Sequence, residues 1–154
     1  MTIEAHHIEQ AKTVASDLLK ALGIEEFTVY EGQLESRPIV AIAAEEHAVL
    51  IGRHGDNLHA LQHTMNSILK HRDPSAPFIA LDIADYKKDR IEKIMRLAED
   101  AAQKVLDYGK ELELRPMTAF ERRVVHMVLA DKPELETESR GNDPHRKVVI
   151  KKAS

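Results

Sequence analysis

Apolar residues recur along the chain with two spacings, and each spacing predicts a type of secondary structure. Residues 4–22 place apolar side chains at steps of three and four, which predicts an amphipathic helix that ends at Gly23. Short runs at residues 27–30 and 38–42 are rich in β-branched and aromatic side chains and predict strands, joined by a polar turn at residues 31–36. The chain therefore begins with a helix and two strands.

Residues 48–72 contain two helical patterns on either side of the loop Gly52-Arg53-His54-Gly55. We expect Asp56 or Asn57 to cap the second helix by accepting a backbone N–H. Prolines end that helix, and residues 78–83 then predict a third strand. The predicted order of this half is α-β-β-α-α-β.

A long amphipathic pattern follows, which we expect Asp85 to cap and which runs to about Tyr108. Its first two turns are crowded with basic residues, and these predict either a solvated face or a basic patch near a bound strand. The basic residues are Lys87, Lys88, Arg90 and Lys93.

The last part of the chain predicts a short strand at residues 111–115, a helix and a hairpin. Thr118 and Glu121 have the spacing of a capping box, so the helix is expected to begin there. Strands at residues 135–139 and 147–151 flank the turn 140–144. On the helix, Arg122 and His126 share one face. The residues expected to face the core are Phe120, Val124, Val128 and Leu129.

Together these elements predict an α+β protein of two small domains, residues 1–84 and 85–154, with a boundary near residues 84–86. Residues 1–84 hold 6 Lys and Arg against 12 Asp and Glu, a formal charge of −6, whereas residues 85–154 carry +2. The second half is therefore the better electrostatic partner for phosphate. The chain has no cysteine, which excludes disulfides and thiolate metal sites. It shows no signal-peptide pattern or membrane span, so we expect a soluble intracellular protein.

The Gly52–Gly55 loop has the chemistry to hold a sugar-phosphate backbone. Glycines lack the Cβ atoms that would keep another backbone at a distance, and the helix that follows offers unpaired N–H donors. Arg53 adds a full positive charge and His54 a conditional one.

These patterns resemble known nucleic-acid-binding domains. A G-x-x-G loop between two helices in the order α-β-β-α-α-β resembles a type II KH domain. The Arg122-x-x-x-His126 pair, followed by Ser139, Gly141, Pro144, Arg146 and a Val-Val-Ile strand, resembles an R-3-H domain. A KH domain followed directly by an R-3-H domain is similar to the Jag/KhpB (EloR) family of bacterial RNA-binding proteins.

The resemblance implies a cytoplasmic protein that binds single-stranded RNA, with single-stranded DNA as a further ligand of the second domain. No second acid–base group converges on the Arg-x-x-x-His pair, so we expect a non-catalytic protein without a cofactor. The resemblance also implies a small single-KH partner protein and links to cell elongation and division. In this sequence Gly52, Arg53, His54 and Gly55 would hold the backbone. Arg122 and His126 would be the signature pair of the second domain, supported by Arg123 and Arg146.

The residues predict two further features of RNA binding. Bases would enter a groove between the second helix and the strand at residues 39–42. Besides the arginines named above, Arg115 and Lys151 would add electrostatic attraction for the strand.

Other interpretations remain open at this point. His59 and His63 are spaced to share a metal ion, and His126 could be a structural histidine bonded to a backbone carbonyl. The Arg-x-x-x-His pair could serve phosphodiester cleavage, and the KH fold could be a protein-interaction scaffold or a dimer face. Many family members also carry an amino-terminal domain that this sequence lacks, so its function is not transferred. The family usually has an aromatic or small residue where His145 stands.

Overall fold

The computed structural model describes residues 2–154, and the chain divides into two compact units, Met1–Lys88 and Asp89–Ser154. Both units combine helices with a small sheet, which confirms the predicted α+β class. The division falls a few residues after the predicted boundary at residues 84–86.

The first unit has the predicted order of elements. Its helices are α1 (Ala5–Ala21), α2 (His47–Ile51) and α3 (Asp56–Arg72), and its strands are β1 (Phe27–Leu34), β2 (Arg37–Ala44) and β3 (Leu81–Ile83). The strands form one sheet in the order β1-β2-β3, with β1 antiparallel and β3 parallel to β2. Apolar residues of α1, α3 and the sheet form the core, including Ile8, Leu19, Val40, Ile42, Met65 and Ile83.

The hairpin between β1 and β2 is tighter than predicted. The proposed turn at residues 31–36 is wrong, because β1 continues to Leu34 and only Glu35 and Ser36 form the turn. Both residues have positive φ angles, 49° and 64°. Two-residue hairpin turns of this kind favour Asn-Gly or Asp-Gly, so Glu-Ser gave no local signal of the turn.

The third strand is shorter than the predicted 78–83, because side chains of α3 occupy the backbone groups that precede it. The Asn66 amide accepts from the N–H of Ile79 at 2.9 Å and donates to its carbonyl at 2.8 Å. Gln62 Oε1 accepts from the N–H of Leu81 at 3.0 Å. These bonds satisfy the backbone without a ladder.

The second unit surrounds a separate core. Its elements are the helices α4 (Tyr86–Tyr108), which begins in the first unit, and α5 (Ala119–Leu129), and the strands β4 (Leu112–Glu113), β5 (Leu135–Arg140) and β6 (Lys147–Lys152). The sheet order is β4-β6-β5, and both pairings are antiparallel. The predicted carboxy-terminal hairpin is therefore confirmed. Core side chains include Ile94, Ala98, Val105, Val125, Val148 and Ile150.

The start of α4 differs from the prediction that Asp85 caps it. Asp85 has a positive φ of 56°, and the buried Asp82 instead accepts from the N–H of Lys87 at 3.1 Å. Burial raises the pKa of the Asp82 carboxyl. The Lys87 ammonium donates to Gln62 at 2.7 Å, and burial lowers the pKa of this lysine.

The basic residues at the start of α4 therefore form neither a fully solvated face nor a continuous patch. Lys87 is used inside the first unit, and Arg90 forms an ion pair with the buried Glu121 in the second. Lys88 and Lys93 are exposed. Within residues 2–154, no helix is both long and apolar enough to cross a membrane.

Candidate nucleic-acid interface

The Gly52–Gly55 loop presents its two basic side chains to solvent. Gly52, His54 and Gly55 all have positive φ angles, of 72°, 54° and 81°. Arg53 and His54 are exposed, and neither side chain has a hydrogen bond or ion pair with another residue of the described range 2–154. The loop thus holds two side chains that are free to meet an anion.

The structure supplies an intramolecular reason for both glycines. A Cβ at Gly52 would lie 2.6 Å from Cγ of Asn57, and one at Gly55 would lie 2.9 Å from Cε1 of Tyr86. Glycine is therefore required by the fold of the loop itself. The close approach of a ligand backbone stays a prediction.

The predicted cap of α3 is wrong. The N-cap residue is Gly55, and no side chain accepts a hydrogen bond there. The Asn57 amide instead donates to the carbonyl of Val49 at 2.7 Å, which ties α2 to α3 behind the loop. A helix N-terminus with no side-chain acceptor retains donors that an anion can bind.

Replacing Gly55 with alanine tests the contact with Tyr86. We expect a loss of about 2 kcal/mol in the free energy of unfolding, because alanine is strained at positive φ and its Cβ crowds the Tyr86 ring. Gly23→Ala is a matched control, since Gly23 has φ 80° with no atom within 4 Å of the added Cβ, and it should lose only about 1 kcal/mol. Urea unfolding followed by circular dichroism measures both. Equal losses would mean that the Tyr86 ring moves aside freely.

The part of β2 that was predicted to line a base groove is buried. Ile39, Val40, Ala41 and Ile42 are all buried, with at most 7% of each residue exposed. Two of these residues face the core because side chains alternate along a strand. These side chains offer little surface to a base, and contact of this strand with bases stays a prediction.

The second unit contains an open groove of about 410 Å³ beside α5. Four predicted binding residues line it: Arg122, Arg123, His126 and Arg146. The predicted capping box is confirmed, since Thr118 Oγ1 accepts from the N–H of Glu121 at 3.3 Å and Glu121 accepts from the N–H of Thr118 at 2.9 Å. The capping box therefore fixes the start of α5, and residues of this helix line the groove.

The acid of this capping box also binds a base. Glu121 pairs with Arg90 of α4. Burial opposes ionisation of the carboxyl, but hydrogen bonds from Arg90 and Thr118 hold the pKa of Glu121 below its ordinary value. The acid therefore stays charged and binds α4 to α5.

Arg122 was predicted to contact nucleic acid, yet its side chain is almost fully buried. Only 9% of its side chain is exposed. Its Nη1 donates to the carbonyl of Met117 at 2.7 Å and to Asp143 at 3.2 Å. Arg122 thus joins the start of α5 to the loop between β5 and β6, which shapes one end of the groove.

His126 lies between two hydroxyl groups of β5. Its Nδ1 is 2.7 Å from Thr137 Oγ1 and its Nε2 is 3.0 Å from Ser139 Oγ. Residues two apart point to the same face of a strand, so the spacing of Thr137 and Ser139 in the sequence indicates two hydroxyls on one face of β5. The alternative of a bond to a backbone carbonyl is not what the structure shows.

Burial lowers the pKa of His126 below its ordinary value of 6.5, and the charge of Arg122 lowers it further. The imidazole is therefore neutral at neutral pH. Since the unfolded chain would take up a proton at higher pH than the folded one, His126 makes the fold less stable as the pH falls below 6.5.

We predict that the His126 ring protons titrate with a midpoint below pH 6.5. Nuclear magnetic resonance across a pH series measures this, and the signal is assigned by its absence in His126→Gln. A His126 midpoint at or above 6.5 would contradict the proposed effect of burial.

The other predicted cations are distributed differently. Arg123 is exposed, and Arg146 donates to the carbonyl of Gly141 at 2.7 Å. Arg115 is exposed but does not line the groove, and Lys151 lies 3.6 Å from Glu136 on β5. The groove therefore gathers the three arginines and His126, while Arg115 and Lys151 lie outside its lining. The part of the chain described here contains no cluster of three or more potential metal ligands.

Comparisons with known proteins identify the second unit and the family. The R-3-H domain family matches residues 92–152. RNA-binding protein KhpB of Lactiplantibacillus plantarum is 39% identical over 105 residues, which cover 68% of this chain and 33% of that protein. KhpB of Clostridium symbiosum is 28% identical over 97% of this chain and 66% of its own length.

The KhpB protein of Bacillus subtilis is 31% identical over 147 residues, which are 93% of this chain and 69% of the relative. This chain thus spans a third of the first relative and about two thirds of the other two. The match to the relative from B. subtilis extends over both units. The chain belongs to the Jag/KhpB family.

Proposed function

We propose that this protein binds single-stranded RNA without catalysing a reaction, using the Gly52–Gly55 loop and the groove beside α5. The relatives are named RNA-binding proteins, and the R-3-H match covers the groove residues. In this proposal the first unit is a type II KH domain and the second an R-3-H domain, and single-stranded DNA is a further ligand of the second.

The observation that carries the proposal is an open groove lined by three arginines, of which Arg123 is exposed and Arg122 is held from within by Met117 and Asp143. Arg122, Arg123 and Arg146 come from α5 and from the approach to β6, and they line the same depression. Guanidinium groups bind phosphate oxygens through paired N–H donors. A flexible strand fits an open groove better than an enclosed pocket.

The loop of the first unit adds a second contact. Arg53 and His54 are exposed on a backbone held by two glycines. The overall charge of residues 1–84 is −6 and repels a polyanion, so binding there depends on this local site. When two weak sites are joined in one chain, the second contact becomes intramolecular and the apparent affinity rises.

The groove chemistry favours binding over cleavage. Among the described residues that line the groove, His126 is the one acid–base side chain, and both its ring nitrogens already meet hydroxyls. General acid–base cleavage of a phosphodiester needs a group to take a proton and a group to give one. We therefore infer a non-catalytic role.

Partner and location are proposed from the family. We propose a cytoplasmic protein that acts as a post-transcriptional regulator or as a regulator of cell elongation, together with a small single-KH protein. The alternative is an adaptor that uses the first unit to bind protein. Size-exclusion chromatography with and without RNA separates the two.

The test of the proposal is binding of labelled single-stranded RNA over a series of salt concentrations. The variant Arg123→Gln/Arg146→Gln removes two groove cations and should flatten the salt dependence by about 1.4 in log–log slope, since each phosphate contact on a single strand contributes about 0.7. The control Arg96→Gln/Lys104→Gln removes two exposed cations of α4 and should leave the slope unchanged. If the wild-type protein binds neither RNA nor DNA at low salt, the proposal is wrong.

A further inference from the structure

An apolar stripe on the outside of α5 has no role in the fold. Phe120 was predicted to face the core, yet it is 50% exposed, and Met127 is 67% exposed. The core face of α5 is formed instead by Val125 and Leu129, together with the buried Glu121 and Arg122. Two large apolar side chains are thus left in solvent on a short helix.

The stripe runs along the edge of the arginine groove. Phe120, Arg123 and Met127 are spaced at i, i+3 and i+7, so they follow one line along the helix. Arg123 and Met127 also line the groove, and so does Ala119, the neighbour of Phe120 in the chain. Each apolar side chain therefore lies within one or two turns of an exposed guanidinium.

We propose that Phe120 and Met127 form a stacking platform for nucleobases, with the flanking phosphates held by the groove arginines. This inference rests on the proposed function and extends it, because it gives the second unit contacts to bases as well as to the backbone. An aromatic ring and a thioether offer flat, polarisable surface to a base, and a neighbouring guanidinium can stack on it as well.

The positive charge beside the stripe favours a nucleic-acid strand over an apolar peptide as its ligand. The groove beside the stripe is lined by Arg122 and Arg123 of α5 and by Arg146, and no carboxylate lines it within residues 2–154. A strand that alternates a flat apolar base with an anionic phosphate matches a surface that sets apolar side chains beside cations. Stacking tolerates any base, so the platform would favour single strands without reading their sequence.

Tryptophan fluorescence tests the platform directly, because the natural sequence contains no Trp. In the Phe120→Trp variant of the 154-residue chain, a short U-rich RNA should quench the fluorescence, while an abasic backbone of the same length should not. Tyr108→Trp, at an exposed position at the end of α4, is the control and should respond to neither.

Affinity provides the second measurement. Phe120→Ala should weaken binding of the U-rich strand by roughly 5- to 100-fold and leave binding of the abasic strand unchanged. If the RNA binds to Phe120→Trp without quenching its tryptophan fluorescence, or if Phe120→Ala binds RNA normally, the platform is refuted while the proposed function stands. If Phe120→Ala loses only self-association, the stripe is a protein contact and the platform is likewise refuted. Absence of all RNA binding by the wild type would instead refute the proposed function.

Discussion

The double substitution Arg53→Asp/His54→Asp is expected to lower the affinity for single-stranded RNA by roughly 100-fold, about 2.7 kcal/mol. The change removes the exposed cation of the loop and places two carboxylates where phosphates would lie, and like charges that face each other at an interface cost several kcal/mol. Neither side chain has a hydrogen bond or ion pair elsewhere in residues 2–154, so the fold should tolerate the change. Fluorescence anisotropy with labelled RNA measures the affinity.

The helix that follows the loop, α3, offers a matched control. His71 and Arg72 are the same two residue types, both exposed, at the other end of the 17-residue helix α3, about 24 Å away along its axis. His71→Asp/Arg72→Asp makes the same change in net charge and should alter the affinity less than about threefold, because charges beyond a Debye length are largely screened. If both variants lose affinity equally, the first unit acts through its net charge and the loop is not a site.

Much of the fold could be predicted because its signals are local. The α1 pattern, the capping box at Thr118 and the hairpin of β5 and β6 each depend on residues close together in the chain, and all three are confirmed. Periodicity and capping report short-range geometry, which tertiary packing rarely reverses when several signals agree.

The errors arise where distant residues compete with a local pattern. Residues 78–80 have the sequence pattern of a strand, but the Asn66 side chain of α3 forms hydrogen bonds with both the N–H and the carbonyl of Ile79. Asp85 stands where a cap is expected, but the buried Asp82 makes the bond to Lys87. No spacing rule shows which of two acids lies nearer to a helix end once a strand and a loop have been folded against it.

The orientation of α5 shows the same limit at the candidate site. Hydrophobicity predicted that Phe120 is buried and Arg122 exposed. In the structure Phe120 is half exposed and Arg122 is buried. Arg122 can be buried because the carbonyl of Met117 and the carboxylate of Asp143 receive its donors, and Asp143 lies on a distant loop. A buried charge is tolerated only when such partners exist, and their positions emerge only from the fold.

This reversal makes Arg122 a residue whose removal should clearly reduce stability. We expect Arg122→Ala to lower the free energy of unfolding by about 3 kcal/mol. Hydrogen bonds to charged groups contribute about 1.5–3 kcal/mol, and the packed stem of the side chain is lost as well. The penalty should stay below that of a fully buried ion pair, because Asp143 is 71% exposed and water can solvate it once the arginine is gone.

Two variants separate the contributions of Arg122 in urea unfolding. Arg122→Met keeps an unbranched stem and loses the guanidinium, so the part of the loss that it shares with Arg122→Ala belongs to the hydrogen bonds. Arg123→Ala changes the next residue, which is exposed, and should shift the free energy of unfolding by no more than about 0.5 kcal/mol. RNA affinity should depend on Arg123 more strongly than stability does, because an exposed arginine can contact phosphate directly. If Arg122→Ala unfolds like the wild type but loses RNA binding, then the signature arginine is a ligand contact and does not support the groove.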